Sequence, residues 1–119
     1  MPELEFKNPV DAQTLKSEDL GIQLQDISAT TKVLVRAPSD TPAAAYLNVP
    51  FGQSRGELEG FLICGSRPEE WTIYAPPGRS SQVCEEIPDG GFLSVIDITH
   101  GRAMFRLSGS HSPLVLAKV

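Results

Sequence analysis

The chain has 119 residues, 40% of them hydrophobic, which is enough apolar material for one core but not for two. Its 15 acidic residues outnumber its 10 basic ones, giving a formal net charge of −5, and the basic residues are scattered, which argues against a nucleic-acid partner. The apolar runs are far shorter than the roughly 20 residues of a membrane span, and the first residues are acidic without an apolar stretch, so neither insertion nor export is predicted. We therefore expect a cytoplasmic, single-domain protein that binds neither nucleic acid nor membrane.

The first 20 residues mix charge with two prolines and show no sustained periodicity. This composition predicts an N-terminal tail over residues 1–20 that wraps a surface or stays mobile, followed by a domain over residues 21–119. The sequence GIQLQD, which opens the domain, alternates apolar and polar residues and is typical of extended chain. The β-branched run that follows predicts a strand over Thr31–Ala37.

A short helix is predicted over Pro42–Asn48, because Asp40 or Thr41 can cap it and proline is tolerated in the first helical turn. The glycine-rich and charged residues 51–60 predict a loop or a weak edge strand. Two apolar segments, Phe61–Cys64 and Trp71–Tyr74, then form a predicted hairpin.

A second helix is predicted to begin with Ser80 or Ser81 as its cap and to end near Glu86. The strongest strand patterns of the sequence follow it, over Phe92–Ile98 and Ala103–Leu107. A turn over Thr99–Arg102 separates them. The last predicted element is a helix over Leu114–Val119, which the chain begins but does not complete.

The predicted order is strand, helix, strand, strand, helix, strand, with one extra C-terminal strand and a partial helix. This order indicates an α+β fold with a split βαβ, ferredoxin-like arrangement, a mainly antiparallel sheet and helices on one face. Proteins with this fold catalyse reactions, bind ligands or act as scaffolds, so the fold alone does not decide the function.

The cysteines and histidines give little sign of chemistry. Cys64 and Cys84 do not form a CxxC pair, and we expect buried, reduced thiols, with a disulfide or redox role as the minor alternative. His100 and His111 lack the spacing of metal ligands, so no metal site is predicted.

Two segments carry the candidate functional residues. In the turn from Asp97 to Arg102, which includes His100, Asp97 either accepts hydrogen bonds from the turn amides and pairs with Arg102, or it borders a ligand cleft or subunit contact. Trp71 follows an acidic turn, where tryptophan serves either as a core anchor or as an interface hot spot. Both alternatives stay open for both segments.

These segments also occur together in a known order. SRPEEWTIYAP followed by FLSVIDITHGRAMFRLSGSHSPLVLAKV resembles the gamma subunit of heterotetrameric sarcosine oxidase, whose family has a GPDEWL-type strand, a VVDVS(D/H)(G/A)R turn, an RLSG strand and a PxxxxLLAKG helix. The matching positions are Glu70–Trp71, Asp97–Arg102, Arg106–Gly109 and Leu114–Lys118, and the resemblance extends over residues 21–119. The same turn and strand are similar to the N-terminal region of the aminomethyltransferases of glycine cleavage.

The resemblance implies a non-catalytic accessory subunit in a complex that oxidatively demethylates sarcosine or a related N-methyl amine. It also implies that flavin, NAD and folate are bound by larger partner subunits, and that this chain supplies no catalytic residue. Here SGSHSP replaces the family's SGPDA, and the family continues for many tens of residues beyond the last helix. The unfinished C-terminal helix would leave carbonyl groups and an apolar face unpaired, so association with larger flavoprotein subunits or as a homo-oligomer is expected.

The residues and the resemblance are also compatible with two other functions. The first is a stand-alone domain that binds folate or another small molecule near Asp97 and Arg102. The second is a free-standing aminomethyltransferase-like enzyme, which ranks last because 119 residues are too few for the additional domains of such an enzyme. The candidate ligand or interface residues are Trp71, Asp97, His100 and Arg102.

Overall fold

A computed structural model describes residues 14–17 and 21–117 of the chain. Its contacts divide them into two compact units, one from Thr30 to Thr99 and one that combines the described residues up to Ala29 with those from His100 onward. The strands are β1 (Thr14–Ser17), β2 (Ile22–Asp26), β3 (Thr31–Arg36), β4 (Ser54–Gly56), β5 (Leu62–Arg67), β6 (Glu70–Ala75), β7 (Ser94–Asp97) and β8 (Phe105–Ser108). The helices are α1 (Pro42–Leu47), α2 (Ser80–Glu86) and α3 (Ser112–Leu116), with short 3-10 turns at Leu58–Gly60 and Thr99–Gly101.

The unit from Thr30 to Thr99 is built on a five-stranded sheet. Its strand order is β4-β5-β6-β3-β7, and every pair of neighbouring strands is antiparallel. Without the edge strand β4, the connectivity β3-α1-β5-β6-α2-β7 is a split βαβ arrangement. The predicted α+β fold with an antiparallel sheet is therefore confirmed, and the segment predicted as a loop or weak edge strand contains the edge strand β4.

One face of this sheet is the core of the unit. The register places Val33 opposite Ile73 and Val35 opposite Trp71, and all four side chains are buried. Because side chains alternate along a strand, these residues share one face. Ala43, Leu47, Val83 and Ile87, from α1, α2 and the residue after α2, complete the same buried cluster.

Trp71 fixes the chain that leaves α1. Its indole N–H donates a hydrogen bond to the Val49 carbonyl at 2.9 Å, and the side chain is only 7% exposed. Gly65 lies opposite Trp71 in β5 and exchanges hydrogen bonds with the backbone of Gly52 and Gln53. A Cβ atom at Gly65 would collide with the Pro50 carbonyl, so glycine is required for this close approach.

The other unit contains a three-stranded antiparallel sheet with the order β1-β2-β8. The strand predicted to follow the split βαβ arrangement exists, as β8, but it pairs with β2 and does not extend the larger sheet. Ile27 N–H donates to the Met104 carbonyl at 2.8 Å beyond the paired residues, which ties β2 to the chain before β8.

The predicted N-terminal tail requires a correction at its end. Residues 14–17 form the strand β1, whose backbone pairs with β2 from Thr14 opposite Gln25 to Ser17 opposite Ile22. Local composition gave no sign of this strand because its partner lies in the next segment. Residues 1–13 and 18–20 of the predicted tail lie outside the described residues.

The helix caps show where local signals were sufficient. Thr41 caps α1, accepting a hydrogen bond from the Ala44 amide at 3.3 Å, and Pro42 occupies the first turn, as predicted. The predicted serine cap of α2 is wrong, because Ser80 and Ser81 are already helical and Arg79 occupies the cap position without a side-chain bond. The Arg79 amide instead donates to the Thr31 hydroxyl at 3.1 Å, a contact with β3 that local sequence does not reveal.

Trp71→Phe tests the anchoring of the α1–β4 connection. Phenylalanine retains most of the apolar contact but leaves the Val49 carbonyl without its donor, so the free energy of unfolding should fall by about 1–3 kcal/mol. Because Trp71 is the single tryptophan, unfolding should be followed by far-UV circular dichroism. Arg67→Ala, an exposed change in the same hairpin, should stay within about 0.5 kcal/mol of the parent. Equal losses in the two variants would contradict this role.

Candidate functional site

A polar cluster lies where β7 ends beside the start of β3. The carboxylate of Asp97 accepts hydrogen bonds from the Thr99 amide at 3.0 Å and from the Thr99 hydroxyl at 2.6 Å. The Thr99 hydroxyl oxygen in turn accepts a bond from the Lys32 amide at 3.0 Å. The predicted local role of Asp97, acceptance of a turn amide, is therefore confirmed.

Lys32 contributes hydrogen bonds to this cluster from its side chain as well as from its backbone. Its side chain is 2% exposed, and its ammonium group donates to the Thr30 carbonyl at 3.0 Å and the Thr99 carbonyl at 3.1 Å. Thr30 and Thr99 are the first and last residues of this unit. The ammonium therefore joins the two chain ends of the unit, and buried charge of this kind needs such acceptors.

The structure distributes the four sequence-predicted residues among different environments. Trp71 is a core residue, with its indole hydrogen-bonded, and Asp97 belongs to the Thr99 cluster in the same unit. His100 and Arg102 are exposed residues assigned to the other unit. Trp71 and Asp97 thus form hydrogen bonds within one unit, and the ligand or interface roles of all four residues stay predictions.

A cleft that the sequence did not predict lies in the Thr30–Thr99 unit. It has a volume of about 370 Å³ and an apolar floor, with polar side chains around the rim. The floor residues are Phe61, Ile63, Ile73, Val83 and Ile87. The rim residues are Tyr46, Arg55, Glu57, Glu59, Gln82 and Glu86. A cleft of this size can admit a small organic molecule.

The rim of the cleft carries excess negative charge. The single arginine, Arg55, is paired with Glu57 at 2.6 Å, so the carboxylates of Glu59 and Glu86 face no basic side chain of the rim. Burial raises the pKa of the Tyr46 phenol, and the nearby Glu86 and Glu57 carboxylates raise it further. The cleft therefore favours a neutral or cationic ligand over an anionic one.

Sequence reasoning missed the cleft because its residues come from both helices and three strands of the unit. Tyr46 was visible as an aromatic residue on the predicted first helix, and Glu86 ended the predicted second helix. Neither has a motif that would mark it. Only the packing of α1 and α2 on one sheet face brings them to a common rim.

A second depression, of about 400 Å³, lies at the end of the same sheet where β3 leaves it. Arg36, Glu69, Phe92 and Ser94 line it together with Ala37, Pro38 and Pro68. The Glu69 carboxylate accepts a hydrogen bond from the Ser39 amide at 2.7 Å, and the backbone of Glu69 is left-handed, with φ of 59°. Its polar groups thus serve to hold the β5–β6 turn against the end of β3.

Cys64 and Cys84 are free thiols. Both are partly exposed, whereas the sequence predicted that they would be buried. Burial raises the pKa of both, and the carboxylates of Asp97 and Glu85 raise that of Cys84 further. A raised pKa keeps a thiol protonated at neutral pH and lowers its nucleophilicity. Neither thiol therefore has the environment of a catalytic cysteine.

Among residues 14–17 and 21–117, no group of three or more His, Cys, Asp or Glu side chains is arranged to hold a metal ion. None of the helices described there is long and apolar enough to cross a membrane.

Thr99→Val tests whether the buried polar cluster stabilises the unit. Valine preserves the shape but removes the hydroxyl that bonds Asp97 and the Lys32 amide, so the free energy of unfolding should fall by about 1–3 kcal/mol in chemical denaturation. Thr30→Val is the matched control, since Thr30 contributes its carbonyl to Lys32. That control should stay within about 0.5 kcal/mol of the parent, and an equal loss would refute the hydroxyl's role.

Glu86→Gln tests the electrostatics of the cleft. Removing this carboxylate should lower the pKa of Tyr46, measured by NMR from the chemical shift of labelled tyrosine Cζ, which separates Tyr46 from Tyr74. Glu85→Gln, on the same helix, should leave the Tyr46 pKa unchanged. Because the folded-state pKa is raised, the stability contributed by neutral Tyr46 should decline as pH rises past about 10. Equal shifts in both variants would contradict this arrangement.

Several solved chains resemble this fold, and one of them belongs to a multi-subunit enzyme. A chain of the heterotetrameric sarcosine oxidase from Corynebacterium sp. U-96, solved in complex with pyrrole 2-carboxylate, superposes with a TM-score of 0.70 at 21% sequence identity. The match covers 86% of this chain and 57% of that chain, so this protein spans little more than half the length of its structural neighbour. No family model matches the sequence, and no curated protein matches it. The comparison establishes similarity of fold with a chain of that enzyme.

Proposed function

We propose that this chain is a non-catalytic accessory subunit of a sarcosine-oxidase-like complex, in the position of its gamma subunit. The observation that carries the proposal is the fold match, which extends over 86% of the chain to a protein described as heterotetrameric. The sequence resemblance around Trp71 and from Asp97 to Lys118 points independently to the same family. The complex would demethylate sarcosine or a related N-methyl amine oxidatively.

The chemistry of the described residues supports an accessory role over a catalytic one. Asp97, Thr99 and Lys32 are committed to contacts that hold the Thr30–Thr99 unit together. Both thiols have raised pKa values, because burial disfavours their charged forms. Flavin, NAD and folate would accordingly be bound by the larger subunits, and this chain would contribute shape and surface.

The surface of the chain supports association with other polypeptides. Large apolar side chains are exposed in both units, including Phe92 at 68%, Phe51 at 64% and Leu114 at 62%. Exposed apolar residues of this size are common at protein interfaces, where their burial drives association. A subunit of a larger assembly would cover a share of them.

Affinity capture from the native cell extract tests this function. A tagged chain should elute with larger polypeptides, the eluate should absorb as a flavoprotein, and addition of sarcosine should bleach the flavin absorption. Mass spectrometry should identify the larger chains as flavoprotein subunits. A tag-only capture serves as the control.

The contradicting result is equally definite. If the captured chain elutes without flavoprotein subunits while a tagged large subunit recovers its complex without this chain, the accessory role is wrong. An eluate that contains flavin but does not respond to sarcosine or to other N-methyl amines would retain the accessory role and refute the substrate class.

A second candidate function is a stand-alone small-molecule binding domain, which the cleft beneath Tyr46 favours. Folate should bind this cleft more weakly than a neutral or cationic molecule, because its carboxylates would be repelled by Glu59 and Glu86 at the rim. Calorimetric titration of the purified chain with folate distinguishes the sites. Loss of binding in Arg102→Ala would place folate near the Asp97–Arg102 turn, whereas saturable binding unaffected by that change would exclude the turn.

A further inference from the structure

The two edges of the five-stranded sheet differ in how they are protected. At one edge, β4 is only three residues long, contains Gly56, and carries Arg55 paired with Glu57. Short length and charge are the devices that prevent a sheet edge from pairing with another chain. The edge at β4 is therefore blunted.

The opposite edge, β7, is also short, with the sequence Ser-Val-Ile-Asp, but its one charged side chain, Asp97, lies at its end and its centre is apolar. It contains neither lysine nor proline, and its register with β3 runs without a bulge from Ser94 to Asp97. Ile96 on this strand is 50% exposed, and Phe92, two residues before it, is 68% exposed. Among the described residues, no strand pairs with the outer side of β7. An apolar edge strand without lysine or proline is a template for strand addition.

The hydrogen-bond pattern shows which backbone groups face outward. Ile98 N–H donates to the Lys32 carbonyl at 2.9 Å, so Ile98, Ile96 and Ser94 direct their backbone groups toward β3. By alternation, the N–H and C=O of Val95 point away from β3. Val95 is thus placed to exchange backbone hydrogen bonds with an added strand.

We propose that β7 pairs with β7 of a second copy of this chain, antiparallel about a twofold axis through Val95, to form one continuous ten-stranded sheet. An isologous contact requires that each residue meet a partner that meets it in return. With the axis at Val95, this residue pairs with its own copy, Ile96 lies opposite Ser94, and the two Asp97 carboxylates lie at opposite ends. The antiparallel arrangement also brings Phe92 of one copy beside the Ile96 end of the other.

Strand β7 is complementary to itself, which favours a second copy of this chain as its partner. Its apolar centre matches itself, and its single charge, on Asp97, is kept away from its symmetry mate. An axis shifted to Asp97 would instead place two carboxylates opposite each other, which is unfavourable. Because four residues make a small interface, the dimer should be weak and populated only at high concentration.

The test combines mass and backbone protection in the purified full chain. Light scattering after size exclusion, from about 10 μM to about 1 mM, should show the mass rising toward twice the monomer value. Hydrogen exchange of the Val95 amide should slow over the same range, while that of Ile96, already bonded to β3, should not change. Ile96→Lys should abolish both effects.

Leu62→Lys is the matched control, because Leu62 is also a partly exposed apolar residue, at 37%, but lies on the interior strand β5. It should dimerise as the parent does. If Ile96→Lys fails to fold, Phe92→Ser provides a second variant that leaves the sequence of β7 intact. It should weaken the dimer severalfold. The proposal is overturned by a chain monomeric throughout, by a dimer with no protection at Val95, or by equal loss in the Ile96 and Leu62 variants. Because only the purified chain is used, these outcomes do not depend on the proposed function.

Discussion

The pairing of β3 with β6 is the constraint on which the Thr30–Thr99 unit depends. Its register aligns Val33 with Ile73 and Val35 with Trp71, which gives the sheet one continuous apolar face. A shift by one residue would turn every one of these side chains to the opposite face, so burial fixes the register strongly. The positions of α1 and α2 follow, because their apolar sides must cover that face.

The same pairing governs the polar features of the unit. Placing Trp71 opposite Val35 brings its indole to the Val49 carbonyl, and this fixes the connection that leads to β4 and one wall of the cleft. Pairing β3 with β7 brings Lys32 to Thr99, where ammonium and hydroxyl bonds join the chain ends of the unit. The polar cluster therefore stabilises the unit, because its groups form hydrogen bonds with one another and with backbone carbonyls.

The sequence predicted the features that local patterns encode and missed those that depend on distant partners. The β-branched run at Thr31 and the cap and proline at Thr41 and Pro42 specify β3 and α1 locally, and the order of elements then specified the split βαβ arrangement. Strand β1 and the burial of Lys32 depend on contacts formed only after folding. The cleft was missed for the same reason, since Tyr46 and Glu86 are 40 residues apart in the chain.

Some of the candidate residues form contacts within the fold, whereas other features of the chain are accessible to other molecules. By sequence alone, Asp97 and Trp71 are candidates for ligand or interface roles. Both side chains form hydrogen bonds within one unit, Trp71 as a buried residue and Asp97 as an exposed one. What the chain offers to other molecules is a cleft with a negative rim and an apolar edge at β7. Trp71, Lys32 and Thr99 use their polar groups in contacts within the unit. The chain would therefore act on other molecules through its surface, and this supports the accessory role proposed for it.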